Sequence, residues 1–168
     1  MKKSSPKNNR QNSGGVVIDS ALSLITSLRK GIKMKTNITW QIHLQENEHC
    51  ADRSRNGSFK PYLCNAHTHG MARYGHPDFQ VVLRIPDSEI RRILNILCLA
   101  VQKGITFEDG EYIGGIYDDC TVRLQSFLDG DRKVLRVIIP DANNVFPDRG
   151  GCCTPYSYQL LRTDALRR

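Results

Sequence analysis

Five side chains that can bind a metal or transfer a proton fall within fifteen residues of this 168-residue chain. In an extended strand, alternate side chains share a face. His67 and His69 are therefore predicted to point the same way, about 7 Å apart along the strand. No other part of the sequence concentrates as much chemistry, so we expect the functional site here. The five residues are Cys64, His67, His69, His76 and Asp78.

The three histidines of this segment predict a divalent metal site formed by His67, His69 and His76. Neutral imidazoles suit zinc, iron or nickel, and three such ligands leave coordination positions open for water or a substrate. Cys64 or Asp78 would complete the ligand set. The alternative is structural, with the imidazoles hydrogen-bonding to backbone groups where a strand ends.

The six cysteines do not form the pattern of a disulfide framework or of a zinc ribbon. No Cys-x-x-Cys motif occurs, and Cys98 lies within an apolar run where a reduced cysteine packs like a small hydrophobic residue. The adjacent pair Cys152 and Cys153 is not predicted to be a catalytic thiol site. Cysteine usage therefore predicts a reducing, cytoplasmic compartment.

The positive charge of the chain is confined to its beginning. The formal net charge is +7, and residues 1–36 hold eight basic side chains and one acidic one. The remaining 132 residues hold sixteen of each sign. Phosphate backbones are bound by a surface of one sign, so the neutral remainder argues against a nucleic-acid partner.

The same boundary divides the chain into two predicted parts. Residues 1–14 contain nothing to bury and are predicted to be disordered, while residues 15–28 favour a short helix with Asp19 or Ser20 as N-cap. We interpret residues 1–33 as a basic, dispensable leader and residues 34–168 as one domain, with Met34 as an alternative start. No apolar run approaches the roughly 20 residues that a transmembrane helix requires.

The pattern after Met34 predicts an α+β domain with a mostly antiparallel sheet packed on one long central helix. The predicted helix follows Pro86-Asp87 and ends at Lys103-Gly104, and its buried face includes Leu94 and Leu97. The strands are predicted around it, with a hairpin turn at Asp129-Gly130 and a final short helix near the C-terminus. The predicted strands span 38–44, 62–68, 79–85, 121–127 and 134–139, and the final helix spans 156–166.

Several short motifs between Tyr62 and Gln159 resemble a bacterial family catalogued as domain of unknown function 4262. The resemblance implies a small single-domain protein and no particular reaction. It draws attention to Tyr74 as a further ligand-binding candidate beside His67, His69, His76 and Asp78. The motifs are His67-Thr68-His69-Gly70, Tyr74-Gly75-His76-Pro77-Asp78, Ile93-Leu94-Asn95, Phe107-x-x-Gly110, Val134 to Asp141, and Phe146-Pro147.

Two functions agree with these observations. The first is a cytoplasmic binding or interaction domain, in which the segment from His67 to Asp78 walls a pocket for a small molecule or a protein. The second is a small metal-dependent hydrolase or metal-binding protein that uses His67, His69 and His76. Metal content of the purified protein would separate the two hypotheses.

Overall fold

The computed structural model describes residues 14–30, 37–44 and 59–167, and residues 14–20 through their backbone alone. Within these ranges, two α-helices, six β-strands and three short 3-10 helices form the regular structure. In chain order the helices and strands are α1 (Gly14–Arg29), β1 (Gln41–His43), β2 (Leu63–His69), β3 (Asp78–Leu83), α2 (Asp87–Gln102), β4 (Tyr112–Ile113), β5 (Val122–Asp129) and β6 (Arg132–Ile138). The 3-10 helices are Met71–Tyr74, Tyr156–Leu160 and Thr163–Leu166.

The six strands form one sheet in the order β1-β2-β3-β6-β5-β4. Neighbouring strands are antiparallel in the half β1-β2-β3 and in the half β6-β5-β4. At the centre, β3 and β6 run parallel, with Asp78 opposite Val134. A parallel seam therefore joins two antiparallel halves.

The two faces of the sheet differ in polarity. Phe79 and Val81 of β3 are fully buried and belong to the hydrophobic core, which includes one face of α2. Gln80 lies between them in sequence and therefore points to the opposite face. On that face the strand register aligns His67, Gln80, Arg136 and Gln125 in a row across four strands. Helix α2 thus covers the apolar face, and the opposite face carries polar groups.

The predicted α+β class is confirmed, but two details of the predicted architecture are wrong. The sheet is mixed, because β6 joins β3 in parallel and not as part of an antiparallel series. There is also no single long central helix, since α1 and α2 each have sixteen residues. Hairpin signals are local, whereas a parallel pairing between distant strands leaves no short-range pattern.

Most predicted elements appear near their expected positions. Helix α2 spans Asp87–Gln102, and both Leu94 and Leu97 are completely buried. The hairpin forms one residue later than predicted, since Asp129 pairs with Arg132 and the turn is Gly130-Asp131, where Gly130 has a φ of 64°. The C-terminal region forms two 3-10 helices where one short helix was expected. Most of the segment between the first two predicted strands, residues 45–58, lies outside the described residues.

Helix α1 packs against the rest of the protein. It begins at Gly14, ahead of the predicted N-caps Asp19 and Ser20, and its Ile25 is 1% exposed. Gly115 approaches it closely, since a Cβ at Gly115 would lie 2.7 Å from Oγ1 of Thr26. The short helix predicted over residues 15–28 is therefore present as α1, and it contributes Ile25 to the hydrophobic core. The predicted disorder of residues 1–14 falls on residues outside the described ranges, except at Gly14, where α1 begins.

Candidate functional site

Three histidines meet on the polar face of the sheet. His67 and His69 come from β2, and the antiparallel register places His43 of β1 directly opposite His67. The Nε2 atoms of His67 and His69 are 3.1 Å apart. One ring nitrogen from each of the three residues lies within 4.8 Å of the others. The three residues therefore form a compact imidazole cluster, called the histidine cluster below.

Hydrogen bonding determines which ring nitrogen carries the proton in His69 and in His67. Arg132 Nη1 donates to Nδ1 of His69 at 2.8 Å, and a guanidinium has no acceptor, so this Nδ1 must accept. A neutral His69 then holds its proton on Nε2 and donates it to Nε2 of His67. His67 in turn carries its proton on Nδ1, which lies 3.9 Å from Oδ2 of Asp129 and has no hydrogen-bond partner among the described residues.

Arg132 links the cluster to two carboxylates. Its Nη1 donates to Asp78 Oδ2 at 3.2 Å and its Nη2 to Asp129 Oδ2 at 3.1 Å. Together the three groups have a formal charge of −1. The guanidinium is the one bonded to His69, however, and it disfavours positive charge on the imidazoles.

Burial keeps the imidazoles of His67 and His69 neutral. His67 is 7% exposed, and desolvation together with the nearby Arg132 charge lowers its pKa to about 4. The pKa of His69 is lowered by the same two causes, in the same order. Both rings are therefore unprotonated at neutral pH, which is the form that binds metals.

The structure separates His76 from the other predicted ligands. Its Nδ1 donates to the carbonyl of Pro77 at 2.7 Å, and its Nε2 accepts the Phe107 backbone N–H at 3.3 Å. The ring packs against Phe79 and Phe107 in the interior. Both nitrogens of His76 are thus occupied by backbone groups, as the structural alternative expects.

The remaining candidates also have structural partners. Tyr74 Oη forms hydrogen bonds with the Thr39 hydroxyl and with Gln102, which ties the Met71–Tyr74 turn to α2. Asp78 accepts hydrogen bonds from the Thr68 hydroxyl and the Met71 amide in addition to Arg132. Cys64 Sγ donates to the Leu83 carbonyl at 3.3 Å. The contacts of Tyr74, Asp78 and Cys64 therefore give no indication that these side chains bind a ligand.

His43, Asp129 and Arg132 were missed by the sequence reasoning. His43 was assigned to a strand through its alternation with Ile42 and Leu44, but its strand partner was not identified. Same-face positions on two strands meet only if the strands are adjacent. Pairing the polar face of one predicted strand with the polar face of the other would have brought His43 to His67 and His69.

A buried arginine, Arg136, lies in the row of polar residues that crosses the sheet from His67 through Gln80. Arg136 is fully buried, and its guanidinium donates to Gln80 Oε1, to the carbonyls of Gln159 and Leu161, and to the Thr163 hydroxyl. Its guanidinium carbon lies 3.7 Å from the centre of the Phe127 ring. These contacts fasten the C-terminal segment over the polar face of the sheet.

The lowered His67 pKa predicts a pH-dependent stability in the presence of a chelator. The unfolded chain gains a proton near pH 6.5, whereas folded His67 gains one only near pH 4. The free energy of unfolding should therefore fall as the pH is lowered from about 6.5 to about 4. Urea unfolding at pH 7, 6 and 5 measures this slope. His67→Gln should reduce it, and an unchanged slope in that variant would contradict the assignment.

Comparisons with known proteins identify no relative. No family model, no curated protein and no solved structure matches the chain. Within the described parts of the chain, neither helix is long and apolar enough to span a bilayer.

Proposed function

We propose that the protein is a metal-binding domain that holds a divalent transition metal at His43, His67 and His69. The observation that carries the proposal is the 3.1 Å separation of the His67 and His69 Nε2 atoms. With zinc–nitrogen bonds of about 2.0–2.1 Å, two ligand nitrogens on one metal lie about 2.8–3.4 Å apart for bond angles of about 90–110°. The pair is therefore already spaced for a shared metal ion.

The burial of the site supports this proposal. Neutral imidazoles suit zinc, iron or nickel, and burial keeps His67 and His69 in that form. The His43 ring stacks on His67 with centroids 5.6 Å apart, and one of its ring nitrogens lies within 4.8 Å of those of the other two histidines. His43 would have to move towards them to share a metal ion. Asp129, near Nδ1 of His67, is placed to accept a hydrogen bond from a metal-bound imidazole.

Arg132 opposes metal binding in the observed arrangement. A metal on Nε2 of His69 requires the ring proton to move to Nδ1, where the guanidinium now donates. Arg132 must therefore leave His69. Asp78 and Asp129 already bond the guanidinium and are able to retain it.

A binding role is favoured over a hydrolytic one by the contacts of the carboxylates. A hydrolase needs a base beside the metal-bound water. Asp78 and Asp129 are the carboxylates nearest the cluster among the described residues, and both are bonded to Arg132. Binding of a small molecule or a protein by the segment from His67 to Asp78 also stays a proposal.

Membership of the domain of unknown function 4262 family stays a proposal that rests on the quoted motifs. A reducing, cytoplasmic location is proposed because the cysteine spacing is not that of a disulfide framework and Cys98 is completely buried in the hydrophobic core.

Metal titration of untagged protein tests the proposal. Wild-type protein stripped with a chelator is expected to bind zinc or nickel at one equivalent by calorimetry. His67→Ala combined with His69→Ala should weaken binding more than about 100-fold, beyond the usual cost of losing an outer-shell partner. His43→Ala should weaken it in the same direction.

His76→Gln is the matched control for this titration. It removes a buried imidazole whose nitrogens both bond the backbone, so it should lower stability and leave metal affinity unchanged. Wild-type protein that binds no metal would refute the proposal. Equal affinity in the His67/His69 double variant would place the metal elsewhere.

A further inference from the structure

An open cleft of about 900 Å³ lies between the β5–β6 hairpin and the C-terminal turn Thr163–Leu166. Phe127 and Leu128 contribute apolar surface to its wall, and Leu128 is 64% exposed. The volume is within the range of sites for small organic ligands, about 300–1,000 Å³. None of the histidine cluster lines this cleft, so its function is a separate question.

The cleft is lined by more positive than negative side chains. Lys133, Arg162 and Arg167 line it together with Asp131 and Asp164. Arg162 lies 3.3 Å from Asp164, but their side chains are 85% and 55% exposed, so this pair is weak. Counted as formal charges, the rim has three positive and two negative side chains, and Arg167 also packs on the Phe59 ring.

Arg136 adds a further positive charge behind the wall of the cleft. Its guanidinium packs on the Phe127 ring and donates hydrogen bonds to the Thr163 hydroxyl and to the carbonyl of Leu161, the residue before Arg162. All of its hydrogen-bond acceptors are neutral, and no described carboxylate lies within hydrogen-bonding distance. Burial lowers the Arg136 pKa to about 9, which leaves the group charged at neutral pH. A charge in a buried, weakly polarisable environment is screened less than one in water.

We propose that this cleft binds a small organic anion with an aromatic or apolar body. Phe127 and Leu128 would contact the body of the ligand. Lys133 and Arg162 would pair with its sulfonate, carboxylate or phosphate group, and buried Arg136 would lower the energy of the anion at longer range. The proposal is independent of the metal site, because none of these side chains belongs to the histidine cluster.

Binding of a matched pair of probes tests this proposal. By calorimetry, 1-naphthalenesulfonate is expected to bind at one equivalent, and uncharged 1-naphthalenemethanol at least tenfold more weakly. Chemical-shift changes of the Phe127 and Leu128 amides would place the anion in the cleft. Replacing both exposed cations, in Lys133→Gln/Arg162→Gln, should weaken binding of the sulfonate about tenfold.

Arg73→Gln/Lys103→Gln is the control with the same change in net charge. Both residues are exposed and neither lines the cleft, so this variant should bind the sulfonate like the wild type. Equal loss of affinity in the two double variants would show a general charge effect and overturn the proposal. Absence of saturable binding, or equal binding of both probes, would also overturn it.

Discussion

Leu94→Ala is expected to lower the free energy of unfolding by about 2–5 kcal/mol. Leu94 is completely buried on the face of α2 that belongs to the hydrophobic core. The substitution removes buried apolar surface and leaves a cavity in a region that neighbouring side chains fill closely. Urea denaturation of the wild type and the variant at neutral pH measures the difference.

His69→Ala serves as the comparison for Leu94→Ala. His69 is only partly buried, and Arg132 keeps its bonds to Asp78 and Asp129 after the imidazole is removed. Its loss should therefore cost less than about 2 kcal/mol in metal-free protein. If His69→Ala is as destabilising as Leu94→Ala without metal, the cluster is a structural support and its functional interpretation fails.

A chain that begins at Met34 is expected to melt roughly 5–15 °C lower than the full chain. The sequence alone predicts no change, because residues 1–33 resemble a dispensable leader. The structure favours a decrease, because removing α1 takes buried Ile25 from the core along with the partly buried Leu24 and Leu28. Full burial of one such side chain contributes about 1.5–3 kcal/mol.

Thermal unfolding of the two chains, followed by circular dichroism, decides between these expectations. Ile25→Ala in the full chain is the matched variant, since it removes the buried contact and keeps the length and charge. A similar decrease in both would assign the effect to packing of α1. An unchanged melting temperature in the chain from Met34 would support the original interpretation of a dispensable leader.

Local patterns predicted the elements better than their arrangement. Apolar spacing and the signals around Asp87 and Gly104 placed α2 closely, and Asp129-Gly130 placed the hairpin. These signals act over a few residues. The order of the strands depends on pairings such as Gln80 with Arg136, which are 56 residues apart and have no sequence pattern of their own.

The candidate site was predicted only in part, because local patterns do not reveal which strands pair. Alternation along one strand put His67 and His69 on the same face, which the structure confirms. His76 was included because it is near in sequence, but the turn before β3 carries it into the interior. His43 and Arg132 reach the cluster through strand pairing and the β5–β6 hairpin, so only the tertiary structure reveals them.

The parallel seam between β3 and β6 has a consequence for the folding kinetics. Most pairings of the sheet join strands that are close along the chain, so each antiparallel half gains contacts while closing only short loops. Joining the halves requires β6 to find β3 across more than fifty residues. Loop-closure entropy makes such long-range pairing slow, so we expect docking of the two halves to limit the rate of folding. Until that step is complete, the pairing edges of both strands stay open to other chains.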